Sequence, residues 1–348
     1  MTRLQLPCLL VVAATVAAAQ DSATEWNDRG LSAAARGDHV EAERCYNLAI
    51  ERWKSQGPAY EAHLAITQLN LGQTYSAQAK RREGAVIFEE ALGELRRTLG
   101  IRSEWTLTAM NLLGAAYLML GEGERSAPLF HEALPVEREF FPKSFMLARS
   151  LEGLATINVN EGKLDTALAQ AEEALPLAIA AEGEDSLDAA LAYATVAEVH
   201  RIARRNERAL PLYRKSRAIY EKSLGPDHPR VASILSQEGL ILMTDHKYAL
   251  AEKDMRQALE IVKKSCPACI YELWVGESNL GLLRLRQKRY AEADQLLSHS
   301  LALQEKYTHP GLDMAGTVEA LAVAREKLRR FDDAARLQKR ADMLRSYR

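Results

Sequence analysis

Small side chains recur along this chain at a spacing of about 42 residues, and that period predicts the fold. One series runs Ala42, Gly84, Ser126, Ala167, Ala209, Ala251, Ala293 and Ala334, in steps of 42 or 41. Twelve residues before each member stands another small residue, from Gly30, Gly72 and Gly114 through Ala155, Ala197, Gly239 and Gly281 to Ala322. Seven residues after each comes a third: Ala49, Ala91, Ala133, Ala174, Ser216, Ala258, Ser300 and Ala341. Four residues after the first series the side chain is large at Tyr46, Phe88, Phe130, Tyr213, Met255 and Leu297, and not at Ala171 or Gln338. Residues seven apart lie two turns apart on one face of a helix. Where two antiparallel helices cross closely, only a methyl-sized group fits, and a large apolar residue one turn away fills the space left over. A single helical hairpin cannot bury such a face, whereas a stack of hairpins can.

The chain is therefore expected to be all-α: a right-handed superhelical solenoid of about eight antiparallel helix pairs. The spacing places the pairs near 24–56, 62–97, 104–139, 145–181, 187–223, 229–264, 271–306 and 312–346, within one domain over 21–348. Turn residues agree: Gly37-Asp38, Gly121-Glu122-Gly123 and Gly162-Lys163 fall inside units, and Leu224 to Pro229 (LGPDHP) falls between them. Pro128 and Pro211 sit near the first turn of a second helix, where a missing amide costs least, while Pro135 and Pro176 lie deeper and predict bends.

Trp26, Gly30, Gly37, Ala42, Tyr46 and Ala49 resemble the tetratricopeptide repeat signature. The 42-residue interval, LGPDHP and the string KYALAEKDMRQALEI resemble the kinesin-light-chain-like subclass of that family. The resemblance covers the chain from about Trp26 to the last helix and implies a concave face, lined by first helices, that holds partner peptides or proteins. Carried over by register, three before or one after the early small residue, the partner-binding positions are Asn27, Gln73, Asn111, Glu152, Glu198, Ser236 and Glu319; Asn70 and Asn279 stand two before it, and Arg149 and Arg201 are the best isolated basic candidates. Asn70 and Asn279 match asparagines that hold peptide backbone in such grooves, and a side-chain amide suits this because it both donates and accepts.

Composition changes this picture little. Hydrophobic residues make up 47%, charged residues 26% and aromatics 6%, with a formal net charge of −2 and both signs interspersed, which gives no electrostatic footprint for nucleic acid or anionic lipid. The first twenty residues change it more. A short basic start, an apolar run from Leu4 to Val16 and then Ala17-Ala18-Ala19 read as a secretory signal peptide over 1–20, cleaved near Ala19 or Gln20. The mature chain is accordingly expected in the periplasm or outside the cell, without membrane insertion.

Candidate chemistry is sparse. Cys266 and Cys269 form CPAC, the spacing of thiol-disulfide oxidoreductases and of half a zinc site, but no strand is predicted before it and no second ligand pair lies nearby. A local disulfide or two free thiols is the structural expectation, and a periplasmic redox role is the alternative function. Cys45 reads as buried filler. The eight histidines are dispersed, Glu89-Glu90 and Glu172-Glu173 follow surface spacing, and nothing predicts buried carboxylates. No catalytic residue, metal site or cofactor is expected. The leading reading is an exported scaffold for protein or peptide partners, with self-association through terminal repeats as a further possibility.

Overall fold

The computed structural model describes residues 22–307 and 312–346. The expected leader at 1–20 lies outside the described residues. Sixteen α-helices form eight pairs: α1 (Ala23–Ala35) with α2 (His39–Gln56), α3 (Glu61–Ala77) with α4 (Arg81–Thr98), α5 (Glu104–Met119) with α6 (Gly123–Phe140) and α7 (Phe145–Asn160) with α8 (Leu164–Glu182). The second half repeats the plan with α9 (Leu187–Ile202) and α10 (Asn206–Leu224), α11 (Pro229–Thr244) and α12 (Tyr248–Ser265), α13 (Ile270–Arg286) and α14 (Tyr290–Tyr307), and α15 (Leu312–Lys327) and α16 (Phe331–Ser346). There is no strand among the described residues. Helices α6, α8 and α10 run without a break through Pro128, Pro135, Pro176 and Pro211.

All three small-residue series are buried at every member. In five units the large residue presses on the glycine of its own first helix. A Cβ added to Gly30 would stand 2.5 Å from the Tyr46 ring, one at Gly72 2.5 Å from Phe88, and one at Gly281 2.7 Å from Leu297. The 42-residue series meets first-helix backbone directly, since Ser126 Oγ donates to the Gly114 carbonyl at 2.7 Å and a Cβ on Gly84 would lie 2.9 Å from the Gly72 carbonyl oxygen. Side-chain size at these positions thus sets how closely the helices approach.

Each pair turns on one residue in the left-handed region. It is glycine, at φ 75–77°, at Gly37, Gly121 and Gly162, and Ala79, Arg204, His246, Lys288 and Arg329 take its place at φ 58–61° in the other units. The next residue's N–H bonds back to the carbonyl five residues before it, as in Lys80 to Tyr75 and Arg289 to Arg284, both within 2.9 Å, which closes the helix end. Between pairs, Gly57, Gly183 and Gly225 end second helices, and the side chains of Ser144, Ser186 and His228 cap the first helices that follow.

Consecutive first helices pack against one another, most closely at α5–α7 and α7–α9 and least at α9–α11, whereas second helices have no comparable contact among the described residues. The first helices therefore occupy the inner, shorter radius of a curved stack, with the second helices splayed around the outside.

Candidate functional site

The inner face is continuous except where α9 and α11 draw apart, and there it opens into a recess of about 220 Å³. Thr156 and Asn160 of α7, Thr195 and Glu198 of α9, and Ser233 and Gln237 of α11 line it, with the Tyr213 ring behind. Glu198 is held in place: Arg201 Nε and Nη2 donate to its two oxygens at 2.8 and 2.6 Å, and the Tyr213 hydroxyl donates to the same carboxylate. Burial and then the Glu198 charge push the Tyr213 hydroxyl pKa far up, so it stays a donor. Gln237 is different, since its Oε1 is buried and accepts no hydrogen bond. A buried acceptor without a donor is costly, and a bound N–H or O–H would relieve it.

The other groove candidates are placed as follows. Asn70 Nδ2 donates to Asn27 Oδ1 at 3.1 Å, so these amides bridge α3 and α1 along the inner edge. Gln73 is exposed, Ser236 and Glu319 are half-buried, and Asn279 is buried. Arg149 is paired with Asp188 of the next first helix, and Glu319 with Arg345. Asn111 and Glu152 do not line the hollow. Asn111 is buried, donating to Glu137 Oε1 at 2.9 Å and the Met146 carbonyl at 3.1 Å while accepting from Ser150. Glu152 is 6% exposed, with its Oε2 unpartnered. The reason is packing: three residues before the small position, a side chain points at the next first helix rather than at the axis.

The interior also holds carboxylates that the sequence reading did not anticipate. Burial pushes Glu152 up to about 8 and Glu137 up to about 7. Glu238 is raised by burial as well, although Arg217 Nε donates to it at 2.8 Å. On the outer side, a cleft of about 360 Å³ between α12 and α14 exposes Arg256, Gln295 and His299 above Glu277 and Arg284 of α13. Arg284 is 2% exposed and fully engaged by Glu252, Gln287 and Glu292, and its guanidinium holds the Glu252 carboxyl down at about 2. His299 Nδ1 lies 2.5 Å from Glu277. Because the floor charges are matched internally, this cleft offers a ligand less than the inner recess does.

Cys266 and Cys269 form a disulfide in the connector between α12 and α13, and Cys45 is a buried free thiol. Among the described residues, no group of three or more His, Cys, Asp or Glu is placed to hold a metal ion, and no helix is long and apolar enough to cross a membrane.

Stacked helix pairs with first helices on the inside define a tetratricopeptide-repeat fold, and comparison with known proteins agrees. Tetratricopeptide repeat families match residues 106–139, 146–222 and 188–264. A curated relative, the Arabidopsis thaliana protein Kinesin light chain-related 1, is 23% identical over 282 residues, which is 80% of this chain and 46% of the relative. The chain thus spans about half the length of that relative. Among solved structures, a Rap protein complexed with Competence and Sporulation Factor aligns with 92% of this chain and 84% of its own at 14% identity and a TM-score of 0.67. BtubC (BKLC) from P. vanneervenii aligns with 64% of this chain and 90% of its own at 19% identity and a TM-score of 0.53. At such identities the likeness is one of fold.

Proposed function

We propose that this protein is an exported scaffold of the kinesin-light-chain-like kind, holding an extended segment of a partner protein on the inner face of its first helices. The observation that carries the reading is the recess between α7, α9 and α11, where Gln237 Oε1 lacks a donor beside the fixed Glu198 carboxylate. An extended peptide supplies a backbone N–H or a side-chain donor at that point, and the surrounding threonine, serine and asparagine side chains supply sequence-tolerant partners. The Rap protein likeness supports the mode, because that solenoid was solved in complex with a factor. The 42-residue interval and the plant relative support the subclass.

Peptides selected from a random displayed library on the mature chain provide the test. Gln237→Ala is expected to weaken the selected peptides by about tenfold, the cost of one hydrogen bond to a buried group, while Arg256→Ala in the outer cleft leaves them unchanged. Equal affinity for the Gln237 variant and the parent would remove the recess from the reading. Export rests on residues 1–20, and the intact mass of chain recovered from a periplasmic fraction checks it: the reading predicts a start near residue 20 or 21, and an unprocessed start at Met1 refutes it.

A second reading, a redox-responsive protein, has one observation in its favour. The CPAC pair is joined as a disulfide whose Cys269 is buried while Cys266 is partly open to solvent, so a thiol reagent can reach one sulfur and release the other.

A further inference from the structure

The curved stack meets itself. Arg81, the first residue of α4 in the second pair, forms an ion pair with Glu272 in the first turn of α13, in the seventh pair, 191 residues away. The Arg81 guanidinium also lies 5.7 Å from the centre of the Tyr271 ring. Ala79, at the left-handed turn beside it, packs against the apolar cluster that includes Cys266 and Cys269. One unit earlier the same offset recurs. His39, at the start of α2, stands near His228, the N-cap of α11, whose pKa is lowered first by burial and then by Arg230 and His39. Arg81 Nε and Glu272 Oε2 are both buried and make no hydrogen bond where the two edges meet. One turn thus touches a connector five pairs further on, and the turn before it lies near the preceding connector, so the coil closes after about five pairs.

The α12–α13 connector at this seam is built unlike its neighbours. Every other described connector has a glycine in the left-handed region (Gly57, Gly100, Gly183 or Gly225), a side-chain cap on the next helix (Ser144, Ser186 or His228), or both. Here Cys266 ends α12 and Cys269 begins α13, with no glycine and no side-chain cap. The covalent S–S bond stands in for both, fixing the first turn of α13 that carries Tyr271 and Glu272 to Arg81.

We propose that the Cys266–Cys269 disulfide is a redox latch on this seam: oxidised, it holds the coil closed around the recess of α7, α9 and α11; reduced, it lets the seam open. This rests on the redox-responsive reading of the pair and gives it a physical output. The step is a two-electron reduction by a dithiol. One reductant thiolate attacks the more open Cys266 Sγ, the S–S bond breaks and Cys269 leaves as a thiolate. The reductant's second thiol then releases Cys266, leaving two protein thiols and one oxidised cyclic or protein disulfide. Without the bond α13 loses the covalent restraint on its N-terminus, and the ion pair and ring contact lose their fixed partner.

Hydrogen exchange on the full mature chain, oxidised and then treated with dithiothreitol, tests the latch, with thiols counted by mass after alkylation. Reduction is expected to add two alkylatable thiols and to speed exchange about tenfold both at residues 270–275 and, across the seam, at 80–85. The Cys266→Ser/Cys269→Ser double variant should resemble the reduced chain in either buffer. Arg81→Ala should loosen both segments while the disulfide stays intact. If the pair resists dithiothreitol in the folded chain, the redox reading itself fails. If it reduces and exchange rises only at 270–275, or nowhere, the redox reading stands and the latch is overturned. Should the double variant lose its helical circular dichroism, the reduced parent chain decides alone.

Discussion

Replacing Phe130 by alanine is expected to destabilise the protein by about 3–5 kcal/mol, the range for removing a large aromatic side chain from a core. Phe130 of α6 is 1% exposed and serves two units at once. Its ring fills the space over Gly114 of its own first helix and over Gly153 of the next, so closely that a Cβ on either glycine would fall 2.6 or 2.4 Å from ring atoms. Neither glycine can move in to fill the hole, because each backbone is already held by its neighbours along the inner layer. Leu154 and Ile157, packed in the same cluster, would lose contact as well. In a stack where each unit touches only its neighbours, a hole at one interface weakens the coupling between the halves on either side. Urea unfolding followed by circular dichroism checks this: the account predicts a large fall in midpoint, with the transition broadening or splitting. A loss under about 0.5 kcal/mol, the ordinary range for a surface change, would show that the large residue does not set the approach of α5, α6 and α7.

Converting Glu152 to glutamine is expected to stabilise the protein at pH 8 and to have little effect at pH 5. Burial holds the Glu152 carboxyl at about 8 in the fold, against 4.5 for the free group. Arg149 opposes that shift, but Arg149 is committed to Asp188, whose own charge raises it further. A carboxyl raised in the folded state favours folding fully at pH values below its unfolded pKa. That advantage is lost as pH rises from about 4.5 through about 8, because the unfolded chain releases a proton that the fold retains. At 1.36 kcal/mol per pH unit, the loss reaches roughly 3 kcal/mol by neutral pH if Glu152 acts alone. Glu137, raised to about 7 by burial and only partly relieved by Ser150 and Asn111, adds a slope of the same sign. Thermal unfolding between pH 5 and 8 should show the parent losing stability with rising pH and Glu152→Gln losing markedly less. Parallel curves for the two proteins would show that Glu152 ionises in the fold at its ordinary pKa.

The three small-residue series were legible because helix crossings constrain side-chain size directly, and each position's neighbours recur with the same period. Turns were legible only where glycine marks them. The left-handed residue at Ala79, Arg204, His246, Lys288 and Arg329 occupies the same place as Gly37, Gly121 and Gly162, and its conformation is imposed by the helix pair rather than by the residue. The groove was legible in part. Counting three back from the small residue put Asn111 and Glu152 on the axis, but the inner helices lie so close at α5, α7 and α9 that this register is consumed in packing. One register further along, two back from the small residue, Asp28, Asn70, Thr195, Gln237 and Asn279 are polar in a layer otherwise rich in apolar groups. Following that register to its end would have found Thr195 and Gln237. Buried Glu137 and Glu277 had no such signal, since an acid on a helix reads as surface until its neighbours are known. The seam between Arg81 and Glu272 depends on the summed curvature of five pairs, and no local pattern carries it.

The proposed partner site is the inner face of the first helices, centred on α9 and α11. Hydrogen exchange of the mature chain with and without one selected peptide measures this directly. The account predicts slowed exchange over residues 194–200 and 233–240, with α12 and α14 unchanged. Protection confined to α12 and α14, around Arg256 and His299, would place the partner on the outer cleft and contradict it.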